Sequence, residues 1–185
     1  MILFWCAGAA LGLLAIAFTV RKSAFDKAVD GSGSIGAVDD ADGFVGAMVG
    51  LVLLLALASL IVLCIWSLRT ARHARAAGAR VSPGLACGGW WIPYASAIVP
   101  FIQLRRVAVH RGRPTSWVSA WQGLLIAGIV IGMGLRGVST WDDNDLTDDI
   151  SGRLTGQVAI GFVLTALYLA MAYVASRAMK DVDAA

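Results

Sequence analysis

The side chains able to do chemistry in this sequence are arginines, aspartates, two histidines and three cysteines. Eight arginines, Arg69, Arg72, Arg75, Arg80, Arg105, Arg106, Arg111 and Arg113, lie between Leu68 and Pro114 with no acidic residue among them. Such a cluster binds anionic lipid headgroups, at about 1 kcal/mol per residue near a charged membrane surface, or docks on an acidic protein surface. Asp142, Asp143, Asn144 and Asp145, followed by Asp148 and Asp149, offer oxygen ligands of the kind that hold divalent cations. They lack the D-x-[DN]-x-[DN]-G frame and a closing bidentate Glu, and the chain has no Glu at all. A solvated loop, or a docking patch (Asp142, Asp143, Asp145) for a basic extracytoplasmic partner, are the competing readings. His73 and His110 fall in the basic region rather than in an apolar span, as surface imidazoles near lipid phosphates rather than paired haem ligands. Cys6, Cys64 and Cys87 lack CxxC spacing, so zinc and redox roles are not expected and all three are expected to be buried apolar residues. No nucleophile–base pair, Gly-rich phosphate loop or H-E-x-x-H occurs. The expectation is a protein that is not an enzyme, with no metal site and no cofactor.

These groups must be positioned by a chain of unusual composition. Soluble domains run about 45–50% apolar and about 25% charged. This one is 58% hydrophobic and 15% charged, with a mean hydropathy of +0.76. That balance excludes a nucleic-acid-binding domain with a basic face, an acidic disordered tail and a disulfide scaffold, and it predicts a small multi-pass membrane protein. Four uncharged stretches, 1–20, 44–68, 115–135 and 154–176, are long enough to cross a bilayer as helices. A fifth, 81–104, contains Pro83, Pro93 and Pro100 with Gly84, Gly88 and Gly89. Proline removes a donor and clashes with the preceding turn, so this stretch is expected to be broken. The predicted fold is a single all-α membrane domain with four transmembrane helices and a Pro/Gly-broken, re-entrant or interfacial segment between the second and third. A conventional fifth span is the alternative.

Charge placement gives an expected orientation. Segments 21–43 and 136–153 carry ten Asp against five basic residues, whereas the arginine cluster has no acid. Basic residues stay cytoplasmic, so the arginine-rich middle and both termini are expected inside and the acidic loops outside. Arg80 and Arg105 flank 81–104 and want the same side, which favours a segment that enters and returns. Six of the seven Trp, namely Trp5, Trp66, Trp90, Trp91, Trp117 and Trp121, fall near the inner ends of their segments, as an aromatic belt would. Arg21 and Lys22 sit awkwardly outside, moderated by Asp26 and by their long stems. The first residues have no positive n-region and no A-x-A site follows, so the first helix is expected to be retained.

Small residues recur one turn apart as Gly8/Gly12, Gly46/Gly50 and Gly128/Gly132, with Gly152/Gly156 opening the last span. In lipid, close backbone approach through small residues draws helices together, so these pairs are expected to pack a compact bundle. No Asp, Lys, Arg or His interrupts the four spans, which argues against a proton-coupled carrier or pump. Gln122, Gln157, Thr155 and Thr165 are the polar residues of the last two, read as interhelical hydrogen bonds or as the lining of a neutral-solute path. The tract Gly31-Ser-Gly-Ser-Ile-Gly36 is expected to be flexible, and no repeat of 20–50 residues is evident.

One block carries a resemblance. Trp66-Ser-Leu-Arg69, then Ser82-Pro83-Gly84-Leu-Ala86, then Trp90-Trp91-Ile92-Pro93 and the later Pro100 resemble the W-x-x-R, S-P-x-x-A and W-[FW]-x-P pattern of a family of small multi-pass membrane proteins of high-GC Gram-positive bacteria. That family is classed only as a domain of unknown function. The resemblance covers residues 66–106 closely and the flanking spans by hydropathy. The chain departs from the pattern at His73, near Ser96 and near Arg105. The resemblance implies a bacterial cell membrane and this architecture, and it brings no activity.

The expected function is a non-catalytic accessory or scaffolding subunit of a larger membrane protein complex. Its inner face, Arg69, Arg72, Arg75, Arg80, Trp90, Trp91, Arg105 and Arg106, would meet anionic phospholipids or partner subunits. A passive small-solute channel and a free-standing lipid-binding protein are the alternatives, and no nucleic-acid partner is expected.

Overall fold

The computed structural model describes residues 2–92, 95–138 and 148–183, and the side-chain surroundings of these except at 132–138, 148, 149, 151, 181 and 183. Regular structure among the described residues is entirely helical. In chain order the elements are α1 (Ile2–Val29), α2 (Ile35–Ala76), α3 (Pro83–Gly88), α4 (Val99–His110), α5 (Ser116–Val138) and α6 (Asp148–Asp183). Two 3-10 turns, Gly89–Trp91 and Ala95–Ala97, lie between α3 and α4. By length and apolar composition three helices can cross a membrane: α1, α2 and the Gly152–Lys180 stretch of α6. The described apolar part of α5, Ser116–Ile131, is shorter.

The helices run past the uncharged stretches. Segment 21–43 is not a loop, because α1 continues to Val29 and α2 starts at Ile35. The charged residues sustain this extension. Lys22 Nζ pairs with Asp26 Oδ2 one turn on, at 2.5 Å, and Arg21 Nε pairs with Asp42 Oδ1 across the turn, also at 2.5 Å. Partly exposed pairs of this kind contribute about 0–1 kcal/mol each, enough to satisfy two cations at an acidic end. The tract expected to be flexible is a defined turn. Gly31, at φ +72°, takes the left-handed position that closes a helix. The Ser32 amide then bonds to the Lys27 carbonyl at 3.0 Å and the Gly31 amide to Ala28 at 3.3 Å. Ser34 Oγ accepts the Ala37 amide at 3.3 Å and so caps α2.

Two compact units divide the chain. One joins Ile2–Ala56 with Val130–Tyr168, and the other joins Leu57–Ile129 with Leu169–Ala185. In the first unit, α1 buries Phe4 at its start and otherwise only Ala7, Gly8, Ala10, Ala15 and Ala17, and it exposes Ile2, Trp5, Leu13, Ile16 and Val20. Small residues inward and large apolar residues outward suit lipid contact, where backbone approach rather than water exclusion holds helices together. A close approach between helices is at Gly161 of α6. A Cβ there would stand 3.1 Å from Ala15 Cβ and 3.2 Å from Ala15 Cα. At Gly12 a Cβ would meet Thr165 Cγ2 at 3.6 Å, an ordinary contact. The Thr165 hydroxyl donates to the Gly161 carbonyl at 2.7 Å within its own helix.

The expected glycine pairs are therefore only partly packing sites. Gly8 is buried, Gly12 touches Thr165 and Gly128 is half-buried. Gly46 and Gly50 are exposed, and added Cβ atoms there, or at Gly152 and Gly156, would meet nothing within 4 Å. Spacing alone therefore does not make a contact at these four positions. Gly132 lies among residues whose surroundings are not described. Filling the tight contact should cost about 1–3 kcal/mol by overpacking. Gly161→Leu is expected to lower the thermal midpoint of the detergent-purified chain by several degrees, and Gly46→Leu to leave it unchanged; equal midpoints would contradict this packing.

Candidate functional site

The second unit carries the basic cluster and the broken segment. Along the end of α2, Ser67, Thr70, Ala71 and Ala74 are buried, whereas Arg69, Arg72 and Arg75 are exposed. The helix stops at Gly78, whose φ of +95° lets the chain turn back. The Ala79 amide bonds to the Ala74 carbonyl at 2.9 Å and the Gly78 amide to Arg75 at 3.0 Å. These bonds satisfy the carbonyls that the helix end leaves free.

The prolines begin helices here rather than interrupting them. Pro83 opens α3 and Pro100 lies in the first turn of α4, positions where a missing N–H costs no helical bond. Pro93 lies outside the described residues. The fold-back is fixed at Gly89, where a Cβ would stand 3.0 Å from both Cδ and Cγ of Pro100 and 3.2 Å from Val99 Cγ1. That approach carries Trp90 inward. Its ring lies 5.4 Å from Phe101, edge-on, and 5.8 Å from Trp121, stacked, and Phe101 meets Trp121 edge-on at 5.2 Å. Aromatic pairs in these geometries contribute about 0.5–1.5 kcal/mol each beyond area burial.

Polar bonds tie the same elements. Gln103 is buried, and its Oε1 accepts the Ser82 amide at 2.9 Å. Arg105 Nη2 donates to Gln122 Oε1 at 2.5 Å, and Gln122 Nε2 donates to the Ala97 carbonyl at 2.8 Å. His110 Nε2 donates to the Ala77 carbonyl at 3.1 Å, and Arg111 Nη1 donates to the Val182 carbonyl. Arg177 Nη2 donates to the Tyr173 hydroxyl at 3.2 Å, and Tyr173 meets Trp117 edge-on at 6.4 Å. Cys64 Sγ donates to the Cys87 carbonyl at 3.6 Å.

The arginines thus divide into two sets. Arg105 and Arg111 hold elements together, and Arg177 is engaged by Tyr173 within α6. Arg69, Arg72, Arg75, Arg80 and Arg106 are exposed, and none makes an ion pair or side-chain hydrogen bond among the described residues. The sequence holds no Asp or Glu between Asp42 and Asp142 to neutralise them. Two of the free guanidiniums, those of Arg72 and Arg75, line an open groove of about 690 Å³ together with Leu68, Ala76, Ser82, Pro83 and Gly84. Among the described residues no group of three His, Cys, Asp or Glu side chains is placed to hold a metal ion.

Several sequence expectations need correction. Trp90 is 8% exposed and packs against Phe101 and Trp121 in the core of the unit. Trp91, beside it, is 54% exposed. Trp121 is buried too, and both rings leave the expected belt for the core. Arg105 is half-buried and bonded to Gln122, so it is a structural link and not a free surface cation. Gln122 is engaged on both sides of its amide, by Arg105 and by the Ala97 carbonyl. Cys6 is exposed and Cys87 half-buried, against the expectation of three buried cysteines. Asp142, Asp143 and Asp145 lie outside the described residues. Sequence reasoning missed Gln103 and Ser82, although Gln103 is the one amide side chain in 81–104 and that isolation was a usable signal.

Among the described residues the architecture is all-helical, with three helices long and apolar enough to cross a membrane. Residues 29–183 match the family described as Domain of unknown function (DUF4328), and the chain belongs to that family. The match extends well beyond 66–106, taking in α2 to α6. No curated protein and no solved structure matches the chain.

The fold-back is testable at one atom. An added methyl at Gly89 must displace the Pro100 ring, at a cost of about 1–3 kcal/mol, whereas Gly84 has open space around it. Gly89→Ala is expected to lower the thermal midpoint and to weaken the near-ultraviolet tryptophan dichroism, and Gly84→Ala to change neither. Equal behaviour of the two variants would contradict the described packing.

Proposed function

We propose that this chain is a four-span bacterial cell-membrane protein that serves as a non-catalytic accessory or scaffolding subunit of a larger membrane complex. The observation that carries this reading is the outward face of α2. Gly46 and Gly50 lie open, and Leu53, Leu54 and Leu57 are exposed, with no described residue of the chain packed over the glycines. A small-residue step one turn long is the surface on which a helix of another membrane subunit approaches most closely. On this reading α5, 23 residues from Ser116 to Val138, supplies the fourth span.

In this proposal the arginine end of α2 lies on the cytoplasmic side with both termini, and the acidic end around Asp39, Asp40 and Asp42 lies outside. The aspartates Asp142, Asp143 and Asp145 would then face an extracytoplasmic partner. A second reading, a free-standing lipid-binding protein, is favoured by the five free arginines and by the groove beside Arg72 and Arg75.

The test is native-gel migration of the tagged chain, extracted in mild detergent from its own membrane, with mass spectrometry of what comigrates. Stoichiometric partners are expected, and a Gly46→Leu/Gly50→Leu double variant is expected to lose them while keeping its thermal midpoint. Migration of the wild-type chain alone would overturn the subunit reading.

A further inference from the structure

The side chains along one face of α2 change character where the groove begins. Ile61 and Ile65 are exposed apolar residues, Leu68 is half-buried on the groove wall, and Arg72 and Arg75 line the groove itself. The spacing of four, three, four and three residues keeps all five on one helical stripe. The stripe therefore runs from an aliphatic surface, inside the uncharged stretch that ends at Leu68, directly into two guanidiniums.

The opposite wall is built from the start of α3. Ser82 is fixed there because its amide is held by the buried Gln103 carbonyl oxygen at 2.9 Å. Its hydroxyl makes no helix-capping bond, so both its donor and its acceptor capacity are free. Gly84 has nothing within 4 Å of the position a Cβ would occupy, which leaves the backbone open to close approach. Arg72 and Arg75 make no ion pair or side-chain hydrogen bond among the described residues. The groove, at about 690 Å³, falls within the range of about 300–1,000 Å³ typical of small-ligand sites.

We infer that this groove is a binding site for the headgroup of an anionic phospholipid. The phosphate sits between the guanidiniums of Arg72 and Arg75, with the Ser82 hydroxyl donating from the opposite wall. The acyl chains lie along Ile65 and Ile61. Guanidinium forks suit phosphate oxygens geometrically as well as by charge. The continuity of the aliphatic stripe with the two cations selects a lipid over a free phosphate, because a free phosphate has no use for Leu68 and Ile65. The inference deepens the lipid-binding side of the proposal above and rests on α2 being a membrane span. It does not depend on whether the chain has protein partners.

The experiment begins with alkaline carbonate extraction of native membranes. Retention in the membrane is expected, and release would overturn the span on which the inference rests. The purified chain is then titrated in detergent with phosphatidylglycerol, with phosphatidylcholine or with inorganic phosphate, and bound lipid is counted by native mass spectrometry. Phosphatidylglycerol is expected to bind in preference to phosphatidylcholine. The Arg72→Gln/Arg75→Gln variant is expected to bind phosphatidylglycerol about thirtyfold more weakly, from about 1 kcal/mol per arginine. Ser82→Ala is expected to reduce binding by a smaller factor. Arg106→Gln, which removes an equally free and exposed arginine outside the groove, is expected to leave binding within about threefold. Equal losses in the groove variant and in Arg106→Gln would show a diffuse basic surface and overturn the site. Displacement of the lipid by inorganic phosphate at low millimolar concentration would overturn the assignment to a lipid.

Discussion

A Cβ at residue 89 would stand 3.0 Å from the Pro100 ring, so a glycine there lets the chain between α3 and α4 close on itself without the ring giving way. Most of what is distinctive at the basic end follows from that contact. It brings Trp90 against Phe101 and Trp121, and the three rings form the core on which short helices, too short to hold themselves in isolation, are organised. With α4 in place, Gln103 reaches the Ser82 amide and Arg105 reaches Gln122. The position of Ser82 across from Arg72 and Arg75 is thus set by packing some distance away.

The polar bonds in this unit do more than satisfy buried groups. Each of the bonds from Gln103, Gln122 and His110 joins residues more than fifteen positions apart. Each also ends on a backbone group that would otherwise lack a partner at the end of a helix or in a turn. The two glutamine bonds are part-buried, where backbone groups must be paired, and the His110 bond is exposed; all three connect parts of the chain distant in sequence. The arginines left over, Arg69, Arg72, Arg75, Arg80 and Arg106, are the ones for which the fold makes no internal demand. They are exposed, in a segment of the sequence without acidic residues.

Much of this architecture was legible in the residues. Long uncharged runs announced α1, α2 and the body of α6, and the clustering of Pro and Gly in 81–104 announced a break. Facing was not legible. Hydropathy places both Trp90 and Trp91 inside the apolar stretch 81–104, but the Gly89–Pro100 approach leaves Trp90 buried and Trp91 exposed. The prolines were read as interruptions because proline opposes helix continuation; Pro83 and Pro100 instead sit where helices begin, a distinction that depends on register. Glycine spacing was equally ambiguous. Gly46 and Gly50 have the pattern of a packing pair, yet among the described residues nothing lies within 4 Å of a Cβ placed there, whereas one at Gly161, outside every expected pair, would stand 3.1 Å from Ala15. The free arginines of the site could be named from charge alone, but the opposing wall at Ser82 required the fold-back.

Hydrogen exchange by mass spectrometry on the chain in lipid nanodiscs addresses the central claim, that 82–110 is a folded element locked by Gly89, Trp90 and Gln103. The account predicts slow exchange for the Ser82 amide and for the backbone of α4, and fast exchange for the turn at residues 30–34. Exchange across 82–110 as fast as in that turn would contradict it.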